Sequence, residues 1–212
     1  VSSTATYSLN SLNLSLAGGL YTSHNLIPPT PGPVAILNNF NSIELIGDVI
    51  LYGFLVSIPA TLVSILFASR LVKRKKIKID YNFNVNYKKI ILPFLVIIIT
   101  LLLISVCLIC FVIGAILKTS QGSSTSAMII TSSLIFPLIS KYNFTNFDIV
   151  MVTLSIGAGS MMISHVNDSY FWIVSKKSEM NLQNSLKYFS IMTVFQSLST
   201  ILFISLIILI SS

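Results

Sequence analysis

Residues 149–174 read IVMVTLSIGAGSMMISHVNDSYFWIV. The first sixteen, to Ser164, are apolar and small, with Gly157 and Gly159 inside them, and they stop at His165-Val166-Asn167-Asp168. Apolar sequence resumes at Tyr170-Phe171-Trp172-Ile173-Val174. Sixteen residues are too few to cross the ~30 Å apolar thickness of a bilayer, which takes about 20 helical residues. Backbone that stops being helical at that depth leaves N–H and C=O groups unpaired, unless protein or a water-filled cavity surrounds it. A short, broken apolar segment with a carboxylate in the break therefore points to a membrane protein with an enclosed polar cavity.

The rest of the chain supports that class. Its 212 residues are 54% hydrophobic and 9% charged, with a mean hydropathy of +0.88. A soluble domain carries about a quarter charged residues, so this chain lacks the charge to cover a water-facing surface. Residues 49–69, VILYGFLVSIPATLVSILFAS, can span, with a kink expected at Pro59. Residues 190–210 make a conventional final span. Residues 90–117 run without a charge from Lys89 to Lys118. At ~1.5 Å per residue that run is roughly 42 Å long, more than one crossing needs.

Net charge is +7, and Arg70, Lys73, Arg74, Lys75, Lys76 and Lys78 fall together directly behind the first span. Nucleic-acid binding would want a basic face on a soluble fold. Next to a span, the positive-inside rule places the cluster in the cytoplasm, where it can also meet anionic lipid. Cys107 and Cys110 lie within the charge-free run and read as buried apolar residues, so no metal or redox site follows from them. The chain opens on Val1 with no basic leader before its first apolar run, which reads as the interior of a longer protein.

The expected organisation is a proline-rich broken-helix region (1–44), a span (45–69), a cytoplasmic basic loop (70–89) and a second span (90–117). A re-entrant hairpin (118–140), a broken helix (148–175) and a last span (190–210) complete it. In secondary transporters, discontinuous helices of this kind meet at the substrate site. His165, Asn167 and Asp168 are the first candidates, because intramembrane ionisable groups are costly and mark ion or proton routes. The same residues also suit an interfacial loop anchored by Trp172, and spacing leaves both readings open. Gly122, Ser123, Ser124 and Thr125 offer a tight turn, hydroxyls and helix-end N–H groups for a carboxylate. Lys118 either attracts that anion or extends to the interface. Pro28, Pro29, Thr30 and Gly32 belong to an unwound stretch, with His24 just before it. A Ser-His-Asp hydrolase is disfavoured: there is no nucleophile elbow, zinc-binding His pair or phosphate loop.

Three segments together resemble the gluconate permease family. They are Gly18-Gly19-Leu20-Tyr21-Thr22-Ser23-His24 with Pro28–Pro33, then Gln121–Met128, then Ile156-Gly157-Ala158-Gly159-Ser160 continuing through Ser164–Asp168 to Phe171-Trp172. The resemblance implies proton-coupled uptake of gluconate or a related sugar acid across the bacterial inner membrane, without a cofactor. It implies an all-α polytopic membrane fold with discontinuous and re-entrant helices, part of an inverted-repeat carboxylate transporter. The implied substrate- and proton-binding set is His24, Pro28, Pro29, Thr30, Gly32, Gly122, Ser123, Ser124, Thr125, His165, Asn167 and Asp168. The chain differs from the family pattern at Ser169-Tyr170, usually Pro-Gly, at Ser124 and Ser126, usually apolar, and at Lys118, usually arginine. Several helices that the family places before the hairpin are missing, and the join is expected near Ile104 to Cys107. A non-transporting remnant, or a small subunit that forms its pathway as a homo-oligomer, are the alternatives.

Overall fold

The computed structural model describes residues 9–72 and 105–211. The expected cytoplasmic loop, from residue 73 onward, and the first half of the 90–117 run lie outside the described residues.

The regular elements among the described residues are all helices. α1 (Leu9–Leu26) ends where Pro28 and Pro29 supply no N–H and crowd the preceding turn. α2 (Pro31–Asn39) restarts with Thr30 extended at its N-cap and proline at its first position, where the fixed φ of proline suits a helix start. A short 3₁₀ turn (Ile43–Leu45) leads into α3 (Ile46–Val72), which carries Pro59 within it. α4 (Ser105–Gln121) and α5 (Ser124–Lys141) form a hairpin turned at Gly122 and Ser123. α6 (Asn146–Gly159) begins with a capping box between Thr145 and Asp148, which satisfies two orphan helix-start donors reciprocally. Residues 160–168 are not regular helix, and α7 (Ser169–Lys177) comes next with Asp168 as its N-cap. α8 (Leu182–Ser185), a π-helical turn (Leu186–Ser190) and α9 (Ile191–Ser211) complete the chain.

Two of these stretches are long and apolar enough to cross a membrane, Ile43–Ser69 and Leu182–Ser211, each with a peak hydropathy of 2.2. Of the segment expected as a re-entrant hairpin, 118–140, the first four residues close α4, and α5 takes up the part from Ser124 with Pro137 inside it.

Apolar side chains fill the core and also cover much of the outside. α3 exposes Leu51, Phe54, Leu55, Ile58, Leu62, Ile65 and Leu66, while Lys118, Asp168, Asn25, Gln196 and many serines and threonines are buried. Soluble monomers rarely expose an apolar face of that extent. Within an apolar medium helices associate through close backbone approach at small residues rather than through oil-like cores.

That approach is visible where the two broken helices cross. The C-terminal end of α1 lies against α6 at Gly157, where an added Cβ would stand 2.5 Å from the Asn25 carbonyl oxygen. The same end of α1 meets α3 at Gly53, where a Cβ would stand 2.7 Å from the Leu26 carbonyl. Ser160 Oγ, just past α6, donates to Asn25 Oδ1 at 3.0 Å. Gly159 in turn faces the Phe111 carbonyl of α4 with no room for a side chain. Replacing Gly157 by Val should therefore push α1 from α6 and lower stability by ~1–3 kcal/mol, the usual cost of overpacking. Thermal melting in detergent measures it, and an unchanged melting temperature would remove this crossing from the fold's essential contacts.

Candidate functional site

Lys118 lies in the last turn of α4 and is fully buried. The chain can fold back after it because Gly122 adopts φ +79°, a region costly for residues with a Cβ. This turn brings the Gly122 carbonyl within 2.7 Å of Lys118 Nζ, which donates to it. Nζ also donates to Asp168 Oδ2 at 2.6 Å, forming a buried ion pair. On its open side Nζ stands 5.8 Å from the centre of the Tyr21 ring, a distance at which the ring face attracts a cation. An ammonium has three protons, and the three directions around Lys118 are thus filled. It does not extend to an interface.

Asp168 is held as completely. Its Oδ1 accepts the Tyr170 N–H at 3.0 Å, the α7 cap. Its Oδ2 accepts Lys118 and the Ser164 hydroxyl, the latter at 2.5 Å. Burying a charge pair costs several kcal/mol per ion before attraction and hydrogen bonding offset it. The turn at Gly122 and the cap of α7 supply that offset here.

Asp168 also lines a cleft of about 530 Å3, within the ~300–1,000 Å3 range of small-molecule sites. Its walls include Tyr21, Ser23 and His24 from α1, Thr30 from the proline turn, Gly122–Thr125 from the hairpin, and Asp168, Ser169 and Tyr170 from the start of α7. Leu20 and Ile173, each about half exposed, form the apolar rim. The hydroxyl of Tyr21 meets Ser124 Oγ at 3.2 Å, and its ring stacks on Tyr170 with centroids 5.3 Å apart. The first residues of α5 open into the cleft, with Ser123 as N-cap accepting the Ser126 N–H at 3.3 Å. A helix start directs free N–H groups and a partial positive charge at whatever occupies it.

Of the residues singled out from sequence, His24, Thr30, Gly122, Ser123, Ser124, Thr125 and Asp168 line this cleft. Pro28, Pro29, Gly32, His165 and Asn167 do not. Pro28 and Pro29 make the turn between α1 and α2, and Gly32 packs against the Met128 side chain. His165 Nε2 bonds the Thr119 carbonyl at 2.8 Å, and Asn167 Nδ2 donates to the Ser120 carbonyl at 3.0 Å. Those carbonyls belong to the last turn of α4, which has no helical partners of its own, so these two side chains stitch the break to the hairpin. Sequence reasoning leaves Lys118 unassigned between two roles and misses Tyr21, Ser164 and Tyr170. A signal for Lys118 exists, since it is the first charge after 28 uncharged residues. Cys107 and Cys110 are buried thiols on the far part of α4, and no cluster among the described residues could hold a metal ion.

Among the described residues all regular elements are helices, with apolar outer faces, buried polar contacts and two helices long enough to cross a membrane, the features of an α-helical membrane protein. The profile of the GntP family permeases matches it over residues 1–104 and again over residues 90–210, and the chain belongs to that family. It is 32% identical over 83 residues to the low-affinity gluconate transporter of Escherichia coli K12, covering 39% of this chain and 19% of that protein. The Gnt-II system L-idonate transporter of the same organism is 33% identical over 95 residues, 45% of this chain and 21% of the relative. The gluconate permease of Pseudomonas aeruginosa is 31% identical over 104 residues, 49% and 23% respectively. The chain thus spans about a fifth of the length of the curated relatives it matches. No solved structure matches it.

The turn at Gly122 is the point on which the ion pair hangs. An added Cβ there would overlap the Asn167 carbonyl, and φ is positive. Gly122→Ala should cost at least ~1–2 kcal/mol for the left-handed backbone alone and should separate Lys118 from Asp168. Chemical unfolding in mild detergent reads the first effect, and reaction of the Lys118 amine with a small reagent reads the second.

Proposed function

We propose that this chain carries the anion- and proton-binding centre of a permease that takes up gluconate or a related small sugar acid with protons across the bacterial inner membrane. The observation that carries the reading is the buried Lys118–Asp168 pair, whose Asp168 lines the cleft. The names of the relatives, gluconate and idonate transporters, supply the substrate class.

While Asp168 is ionised, it and Lys118 cancel, and the ammonium has no direction left for a ligand. A proton on Asp168 removes the partner charge and leaves Lys118 free to pair with an incoming carboxylate. Proton and anion then each favour the binding of the other, which is a reciprocal coupling free energy. The start of α5, with Ser123, Ser124 and Thr125, cradles the same carboxylate. Ser23, His24 and Thr30 along the far wall meet the sugar-acid hydroxyls. His165 and Asn167 act at one remove, by fixing the break that carries Asp168.

In this reading the α4–α5 hairpin is re-entrant, and the α1–α2 and α6–α7 breaks are the matching interruptions of two inverted repeats. The residues from Arg70 to Lys78 face the cytoplasm. Lipid covers the outer face of α3, and a homo-oligomer is compatible with the exposed apolar surfaces.

Equilibrium binding of gluconate to the purified chain in nanodiscs, at several pH values, tests the proposal. Binding should weaken as pH rises. Lys118→Met should weaken it at least about tenfold, the worth of one charge-assisted hydrogen bond. Asp168→Asn should bind with no pH dependence and should abolish coupled uptake. Unchanged affinity in Lys118→Met contradicts the reading.

A second reading has its own observation. The family match falls in two stretches that overlap at residues 90–104, inside the overlong apolar run. A permease shortened internally, whose site survives without its full pathway, would give a match of this kind. Such a chain would bind gluconate yet fail to accumulate it in proteoliposomes under an imposed proton gradient; accumulation would reject this second reading.

A further inference from the structure

The last helix reads from sequence as a plain span, yet with the π-helical turn before it, which ends at Ser190, it bears a stripe of buried polar residues: Ser190, Thr193, Gln196, Ser197 and Thr200. The spacing is helical, so they share one face. Gln196 Nε2 donates to the Gly18 carbonyl and to Thr22 Oγ1 on α1, each at 2.9 Å, and Ser197 Oγ donates to the Ala158 carbonyl on α6 at 2.7 Å. α9 therefore touches both broken helices through polar contacts.

Its first members do something more particular. Thr193 Oγ1 accepts the Ser164 N–H at 3.1 Å, and Ser190 Oγ donates to the Ser164 carbonyl. Both backbone groups of one residue in the break are thus held from the start of the last helix. The Ser164 hydroxyl is left facing Asp168, and it donates to Oδ2, the same oxygen that holds Lys118. Thr193 is itself oriented, since its hydroxyl donates to the Ser190 carbonyl at 2.9 Å. The π-helical turn before α9 makes this possible, by bringing the adjacent residues Phe189 and Ser190 both inward. Turns of this kind recur at functional sites. Phe189 packs beside Tyr21 and Tyr170, so one turn supplies both an aromatic backing for the cleft and the anchor for the break.

We propose that Thr193 and Ser190 are positioning residues for the Lys118–Asp168 pair, acting on it through Ser164. They touch neither substrate nor proton. The inference rests on the reading of that pair as the anion and proton centre, and it adds that the last helix sets the geometry of the pair.

The test is reductive methylation of the full chain in nanodiscs with formaldehyde and dimethylamine–borane, with label at each lysine read by mass spectrometry. Lys118 should be protected in the unmodified protein, while exposed Lys176 and Lys177 serve as internal references. Thr193→Val should raise label at Lys118 about tenfold, the factor corresponding to ~1.4 kcal/mol of lost hydrogen bonding, with the references unchanged. Thr193→Ser, which keeps the hydroxyl, should restore protection. Ser190→Ala removes one oxygen and should give the same rise, so the proposal stays testable if Thr193→Val perturbs folding. Asp168→Asn separates the two levels. If it leaves Lys118 protected, the pair does not hold the lysine and the functional reading fails. If it exposes Lys118 while Thr193→Val and Ser190→Ala do not, or if Thr193→Ser labels like Thr193→Val, the positioning role alone is overturned.

Discussion

A charge pair inside an apolar medium persists only if every hydrogen-bonding direction around it is filled, and the site is shaped by how this chain meets that demand. Lys118 uses a carbonyl that exists in reach only because Gly122 turns the backbone through a left-handed conformation. Asp168 uses the N–H of Tyr170, available because α7 starts there, and a hydroxyl offered by the break itself. Continuous helices in place of these interruptions would have spent their backbone groups internally and left both charges orphaned. The broken helices are thus the device that makes a buried ionisable pair tolerable.

The second constraint is proximity of backbones. The end of α1 reaches the pair's surroundings only because α3 and α6 present glycine where it crosses them, at Gly53 and Gly157. Tyr21, one helical turn earlier, can then lie over Lys118 and stack on Tyr170. Packing and chemistry are linked here in one direction: small residues permit the crossing, and the crossing supplies the aromatic wall and the Ser23–His24 side of the cleft.

Part of this is legible in the sequence. Composition and the broken run at 149–174 are enough for a helical membrane protein, because few charges and short apolar segments leave little else. Proline and glycine punctuation locates both interruptions to within a few residues, since those residues act through local sterics. Periodicity does not distinguish a polar residue that lines a cleft from one that stitches backbone. His165 and Asn167 stand beside Asp168 in the chain, yet they point at the end of α4, because successive residues in irregular backbone diverge. Lys118 joins the site through Asp168, fifty positions on, and Tyr21 through Ser124, more than a hundred positions on. The polar stripe of α9 is visible in its spacing but is masked by the high hydropathy around it.

In the proposed reading Asp168 accepts a proton as the sugar acid binds. Infrared difference spectroscopy of the chain in nanodiscs, with and without gluconate at fixed pH, reads that event at the group itself. Binding should produce the carbonyl band of a protonated carboxylic acid, and Asp168→Asn should lack it. Gluconate binding with no such band in the unmodified protein would contradict the coupling of proton and anion through the Lys118–Asp168 pair.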